Sequence, residues 1–264
     1  RSYSVTGVQT CALPILRNWF RSESCRDRCR RRSELAGDAK EISVLDYFAA
    51  LKPAIRRAIG EMLGRYGAGY GTVSADLGPD VSVRLDEYSS RGKMLRGCLV
   101  RLGYELAGGR APSGDDEMAV IQAGAAMELF QSGLLVHDDI MDGDRVRRGA
   151  PTLHVAYADA LAGGGYGDPA HNGEALAICA GDIAYFAAFQ ALSELTVADG
   201  TARRVMGIAA RELSLVGVAQ MQDVANGAAR PASSDPFGGA SCEPDERSIL
   251  GLYRYKTGRY TFSL

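Results

Sequence analysis

Long apolar runs are missing from this sequence. No uninterrupted stretch reaches the roughly 18–20 residues that cross a bilayer, so no transmembrane segment is expected and the chain reads as soluble and cytoplasmic. Runs of β-branched or aromatic residues are scarce as well. Alanine and leucine dominate instead, which favours helix over sheet. No βαβ rhythm and no internal repeat is present, so the expected fold class is all-α. A zinc finger at the first cysteine pair is not expected either. Cys25 and Cys29 have helical spacing, but no second Cys/His pair follows at zinc-finger distance. Cys11, Cys98, Cys179 and Cys242 complete the six cysteines and are read, with that pair, as buried free thiols in a reducing compartment.

The 264 residues suffice for one large domain, and the formal net charge is −2. That balance is uneven. Residues 1–33 carry eight arginines against Glu23 and Asp27, a local +6, which leaves −8 for the remainder. An acidic body argues against nucleic-acid binding. The opening "RSYSVTGVQTCALPIL" has no initiator Met, no helical period and no secretory apolar core. It resembles translated sequencing-adapter read-through. Residues 1–33 are therefore expected to be a non-native or disordered leader, and 34–264 the domain.

Helical periodicity begins near Ile42, with Ser43 as a possible N-cap and Pro53 marking a kink or break. "GAGYGTVSADLGPD" reads as a loop. A helix is expected over "GKMLRGCLVRLGYELA", stopping at Gly108–Gly109. Asp115 and Asp116 favour the start of the next one. That segment, ending in "HDDIMD", is apolar around much of its circumference, as a central buried helix should be. Further helices are expected at 151–162, 173–196, 200–227 and from Glu246 to the chain end, with Pro151 at a first helical position. Residues 226–245 read as a long surface loop.

Asp138, Asp139 and Asp142 stand out. On a helix, Asp138 and Asp142 lie one turn apart on one face, about 6 Å along the axis. Three carboxylates at a helix C-terminus oppose the macrodipole. A divalent cation would relieve them, and Mg²⁺ prefers a few carboxylates plus phosphate oxygens and water. Arg147 and Arg148 follow on a connection able to fold back, and arginine binds phosphate bidentately. Lys93 and Arg96, three apart, would make a second cationic face at a helix start.

Taken in order, these features resemble the trans-type isoprenyl diphosphate synthases, or polyprenyl synthetases, from about Asp46 to Leu264. The landmarks are Gly92-Lys93-Met94-Leu95-Arg96, Glu128-Leu129, and Asp138-Asp139-Ile140-Met141-Asp142. Arg147-Arg148-Gly149 with Pro151 and His154, Ala180-Gly181-Asp182, Gln220 with Asp223, and Lys256-Thr257-Gly258 follow. The resemblance implies an isoprenoid-synthase-type helical bundle around a central cavity. It also implies a homodimer, and about three Mg²⁺ ions serving an allylic diphosphate and isopentenyl diphosphate. Asp138 and Asp142 would ligate metal, supported by Asp139. Arg147 and Lys256 would hold the allylic diphosphate, with Thr257 and Gln220 lining that side. Lys93, Arg96 and Arg148 would hold isopentenyl diphosphate, near Gln131. On this reading metal and arginine share one diphosphate, so neither neutralises the other directly.

Four positions depart from the family pattern: Gln131 replaces a histidine, Arg91 a glycine, Gly97 a proline and Ala219 a glycine. A second Asp-rich motif is expected some forty residues past Lys256, beyond Leu264. The polypeptide is accordingly expected to be a fragment, incomplete at the C-terminus and inactive alone. Gly133, then Phe130, would point down one cavity wall beside Leu134, with Phe130 as a floor, for a product in the C20 to C25 class. The competing expectations are a terpene cyclase or head-to-head synthase, and a non-catalytic regulatory subunit.

Overall fold

The computed structural model describes residues 43–165, 167–227 and 245–262. The expected leader, most of the 226–245 loop, and Cys11, Cys25, Cys29 and Cys242 lie outside the described residues. Of two compact units, Arg1–Val44 and Leu45–Leu264, only the second is described at length. Among the described residues its regular structure is helical except for one two-stranded hairpin, which agrees with the all-α expectation.

Helix α1 spans Val44–Tyr70 and is unbroken at Pro53. The missing N–H costs one bond there, but Ile55, Ile59, Met62 and Leu63 are buried on one face and hold the helix through it. Helix α2, Leu77–Ser90, is not among the expected helices; α1 and α2 take the two ends of what reads as a loop and leave residues 71–76 as the connection. The glycines that suggest a turn instead permit close packing. A Cβ on Gly78 would lie 2.4 Å from the Tyr70 backbone carbon.

Helix α3 is Leu95–Gly108 and ends, as expected, at a left-handed Gly109. It starts later than expected, because Met94 is itself left-handed at φ 55°. Lys93 therefore precedes the helix and does not share a helical face with Arg96. Helix α4, Asp115–Asp142, is the central element. Its first turn carries Asp115, Asp116 and Glu117, which favour that end of the dipole without capping it.

The chain then makes a two-stranded antiparallel hairpin, β1 Val146–Arg147 and β2 Ala150–Pro151, with Val146 opposite Pro151. Pro151 is thus in a strand, and α5, Leu153–Leu161, begins after it. Helix α6 is Pro169–Ser193, where Asp168 accepts from the Ala170 and His171 N–H groups. Helix α7 is Asp199–Gly227. Helix α8, Glu246–Tyr253, runs into a π-helical turn, Arg254–Arg259, and then into α9, Tyr260–Phe262.

Over an 18-residue window α4 and α6 are apolar and long enough to cross a bilayer by length and composition alone, although neither contains an uninterrupted apolar run of that length. The two helices pack on each other, and 67% of the α4 window and 44% of the α6 window is buried inside the protein. Cys98 is buried, its thiol pushed up to about 11 by burial, whereas Cys179 is exposed.

Candidate active site

The C-terminal end of α4 is shaped by Gly143. At φ 68° its N–H closes onto the Asp139 and Ile140 carbonyls and ends the helix beside the carboxylates. The chain then doubles back. Arg148 and Gly149, with φ 54° and 77°, are the two central residues of the hairpin turn, the pattern of a type I′ turn. Buried Thr152 clasps its base by donating to the Asp144 carbonyl at 2.8 Å. This local fold carries Arg147 over the aspartates and sets the Arg148 guanidinium against Gly92, at 3.0 Å from where a Cβ there would stand.

Asp139 is fully buried. One oxygen accepts from the Tyr88 hydroxyl on α2 at 2.7 Å, and the other from Arg147 Nε. Burial raises its pKa, and these two donors oppose the rise. Asp139 is therefore a strut that ties α2, α4 and the hairpin together. Arg147 also reaches Asp144 at 3.2 Å and Asp138 at 3.6 Å.

Across the opening, Gln220 Nε2 on α7 donates to Asp138 Oδ1 at 3.1 Å. Lys256, in the π-helical turn, donates to Asp138 at 3.3 Å and to Asp223 at 2.5 Å. Burial works against the ammonium, but its bonds to Asp223 and Asp138 outweigh that and raise its pKa. Single π turns are frequent at functional sites, and this one is fastened to α7. Arg259 grips buried Glu212 through two bonds, of 3.0 and 2.7 Å.

Arg147 and Lys256 pair directly onto Asp138, Asp139, Asp144 and Asp223, as opposite charges a few ångströms apart attract.

Asp142 is exposed. Burial first, and then the neighbouring Asp138, Asp144 and Asp223, push its carboxyl up, while Lys256 offsets them. Among the described residues no three carboxylate, imidazole or thiol groups converge closely enough to hold an ion unaided. A surplus of carboxylates short of a full cage suits Mg²⁺ completed by phosphate and water.

A cavity of about 680 Å³ opens beside these groups. Asp138, Gln220, Lys256 and Thr257 line it, and so do Arg96 and Gln131. Leu134, Leu135, Val216, Met221 and Val224 supply apolar wall. Of the three residues expected to shape the tail channel, only Leu134 lines this cavity. Gly133 lies against α6, where a Cβ would come within 2.7 Å of the Tyr185 ring and 2.9 Å of the Gly181 carbonyl. Phe130 is buried edge-on to Phe189 at 4.8 Å. Both positions are taken up by packing against α6.

Sequence reading missed Tyr88, Glu212 and Arg259, and left His137 and Tyr185 without a place. The His137 and Tyr185 rings meet at 5.4 Å on the cavity wall. The glycine of Ala180-Gly181-Asp182 makes room for the imidazole, since a Cβ would lie 2.6 Å from Nε2. Lys93 is exposed at the Gly92 loop and lines none of the cavity.

A helical bundle with an aspartate-rich helix end, facing cations and a largely apolar cavity is the arrangement set out by these residues. Residues 82–264 match the model of the polyprenyl synthetase family, and the chain belongs to it. It is 40% identical over 104 residues to the short chain isoprenyl diphosphate synthase of Methanocaldococcus jannaschii, covering 39% of this chain and 25% of that one. It is 31% identical over 150 residues to the geranylgeranyl diphosphate synthase of Sulfolobus acidocaldarius, 57% of this chain and 37% of the relative. Among solved structures it resembles geranylgeranyl pyrophosphate synthase from Corynebacterium glutamicum, complexed with isoprenyl diphosphate and magnesium. The TM-score is 0.69 and the identity 26%, over 80% of this chain and 56% of that one. The chain thus spans well under two thirds of the length of these relatives.

Proposed function

We propose that the protein joins an allylic diphosphate to isopentenyl diphosphate head to tail and releases pyrophosphate. One observation carries this reading. The mutually bonded group of Asp138, Gln220 and Lys256 opens onto the same cavity as an apolar wall of α4 and α7 side chains, as a prenyl diphosphate requires.

On this reading Arg147 and Lys256 leave their carboxylates to bind the allylic diphosphate, with Gln220 and Thr257 beside it. Lys93, Arg96 and Arg148 hold isopentenyl diphosphate, with Gln131 close by. The allylic C–O bond breaks and its electron pair goes to the departing pyrophosphate. Cationic side chains stabilise that charge more in the transition state than in the ground state. The double bond of isopentenyl diphosphate attacks the allylic carbon, and a proton is then lost to pyrophosphate. The apolar wall keeps out water that would capture the cation. Magnesium, held by Asp138 and Asp142, would supply further neutralisation of the diphosphate charge.

The product we infer is of geranylgeranyl to geranylfarnesyl length, in keeping with the names of relatives from Sulfolobus acidocaldarius and Aeropyrum pernix. A homodimer in the cytoplasm is part of the same proposal, and exposed Phe186 and Ile178 on α6 offer apolar surface for a second copy.

The test is incubation of the protein, expressed from its full reading frame, with labelled isopentenyl diphosphate, MgCl₂ and allylic diphosphates of increasing length. Extended prenyl diphosphates and an equal amount of pyrophosphate are expected. Hydrocarbon formed from the allylic substrate alone would mean a cyclase instead. Binding of both substrates without turnover would mean a regulatory subunit.

A further inference from the structure

Helix α3 begins without a cap of its own. Met94 precedes it in a left-handed conformation and makes no side-chain cap. The first-turn N–H groups need an acceptor, and it comes from the central helix. Glu128 Oε1 accepts the Gly97 N–H at 2.9 Å. Glu128 is buried at 7% exposure, and the positive end of a helix dipole is a favourable place for a buried anion.

Two glycines make the approach possible. A Cβ on Gly97 would meet the Gly124 carbonyl at 2.9 Å and Ile55 at 3.0 Å, and one on Gly124 would meet the Gly97 carbonyl at 2.9 Å.

The consequence falls on Arg96. Its guanidinium lies over the Tyr260 ring at 4.8 Å, and the residue lines the cavity. Its Nε is buried and, among the described residues, has no hydrogen-bond partner. A buried donor left unmade is costly in the free protein and is available to a ligand oxygen.

We propose that Glu128 is the positioning residue for Arg96. By holding the Gly97 N–H, next in the chain to Arg96, it fixes the backbone from which the guanidinium, with its unpartnered Nε, meets the diphosphate of isopentenyl diphosphate. Glu128 touches no substrate and acts through the start of α3. The proposal rests on the prenyl-transfer reading of the cavity.

Glu128→Gln keeps the shape and removes the charge. In the full-length protein it is expected to raise KM for isopentenyl diphosphate about tenfold, from the loss of charge-assisted bonds. KM for the allylic substrate should stay within about twofold. Arg96→Gln should add little in the Glu128→Gln background, because the two act on one contact. A KM for isopentenyl diphosphate that is unchanged or lower would overturn the proposal, since the carboxylate would then be idle or a mere competitor for Arg96. Equal loss on both substrates, in step with the melting temperature, would overturn it in favour of a purely structural role. Amide hydrogen exchange at Gly97 separates the two readings. It should quicken in Glu128→Gln whether or not the cavity takes isopentenyl diphosphate. If the parent fails to bind isopentenyl diphosphate, the prenyl-transfer reading and the ligand half of the proposal fall. If exchange is unchanged, the hold of Glu128 on α3 falls.

Discussion

Lys256 donates to Asp138 across the cavity mouth at 3.3 Å, joining two residues 118 positions apart. One was expected to bind diphosphate and the other to bind metal. In the free protein they satisfy each other, and Arg147 does the same for Asp139 and Asp144. Neither partner is fully ready for a ligand until the other is taken.

This pairing predicts that magnesium and diphosphate bind cooperatively. Mg²⁺ on the carboxylates frees Arg147 and Lys256, and a diphosphate on the cations frees the carboxylates. Calorimetric titration with inorganic pyrophosphate should give an affinity at least about tenfold higher with MgCl₂ than without, a coupling of about 1.4 kcal/mol. Equal affinities would show that the ion pairs do not gate the site.

Tyr88 should be a stability residue as well as a neighbour of the site. Its hydroxyl supplies one of the two donors that keep a fully buried carboxylate satisfied. Tyr88→Phe is expected to lower unfolding free energy by about 1.5–3 kcal/mol, the range for a hydrogen bond to a charged group. Urea denaturation measures it, and a midpoint shift near zero would mean that Asp139 finds another partner.

How much of this was legible in the sequence depends on whether a feature is local. The aspartates, the arginine pair and Lys256 carry their chemistry in their identities, and helix spacing alone sets Asp138 and Asp142 on one face. The central burial of α4 was readable from its apolar circumference. Helix α2 was hidden because Gly71 and Gly78, read as turn formers, lie at a tight contact between helices. Tyr88 and the Glu212–Arg259 pair could not be seen, since each gains its meaning from a partner 47 or 51 residues away.

Gly133 illustrates the same limit and gives a prediction of its own. It fits against Tyr185 and Gly181, so Gly133→Ala should destabilise the fold by about 1–3 kcal/mol, the usual cost of overpacking. Leu134 is the position that faces the cavity. Leu134→Phe in the full-length protein is expected to shorten the product while leaving stability nearly unchanged. Chromatography of the dephosphorylated products decides it. Identical chain lengths from parent and Leu134→Phe would move the wall elsewhere.

The last prediction concerns the anchor of the π-helical turn. Glu212 is buried on α7, and the two bonds from Arg259 hold its carboxyl below the ordinary value of 4.5. A carboxylate whose folded pKa is depressed adds stability above its unfolded pKa. It loses that stability as pH falls through the folded value, because the unfolded chain takes up the proton first. The contribution should therefore be complete at neutral pH and decline below about 4.5. Glu212→Gln removes it at every pH. Parent and variant should differ most in melting temperature near neutrality, and the gap should narrow on acidification. Because Lys256 sits in the same turn, the variant should also weaken pyrophosphate binding at neutral pH. A gap that stays constant down to pH about 3 would show that Glu212 acts through packing and not through its charge.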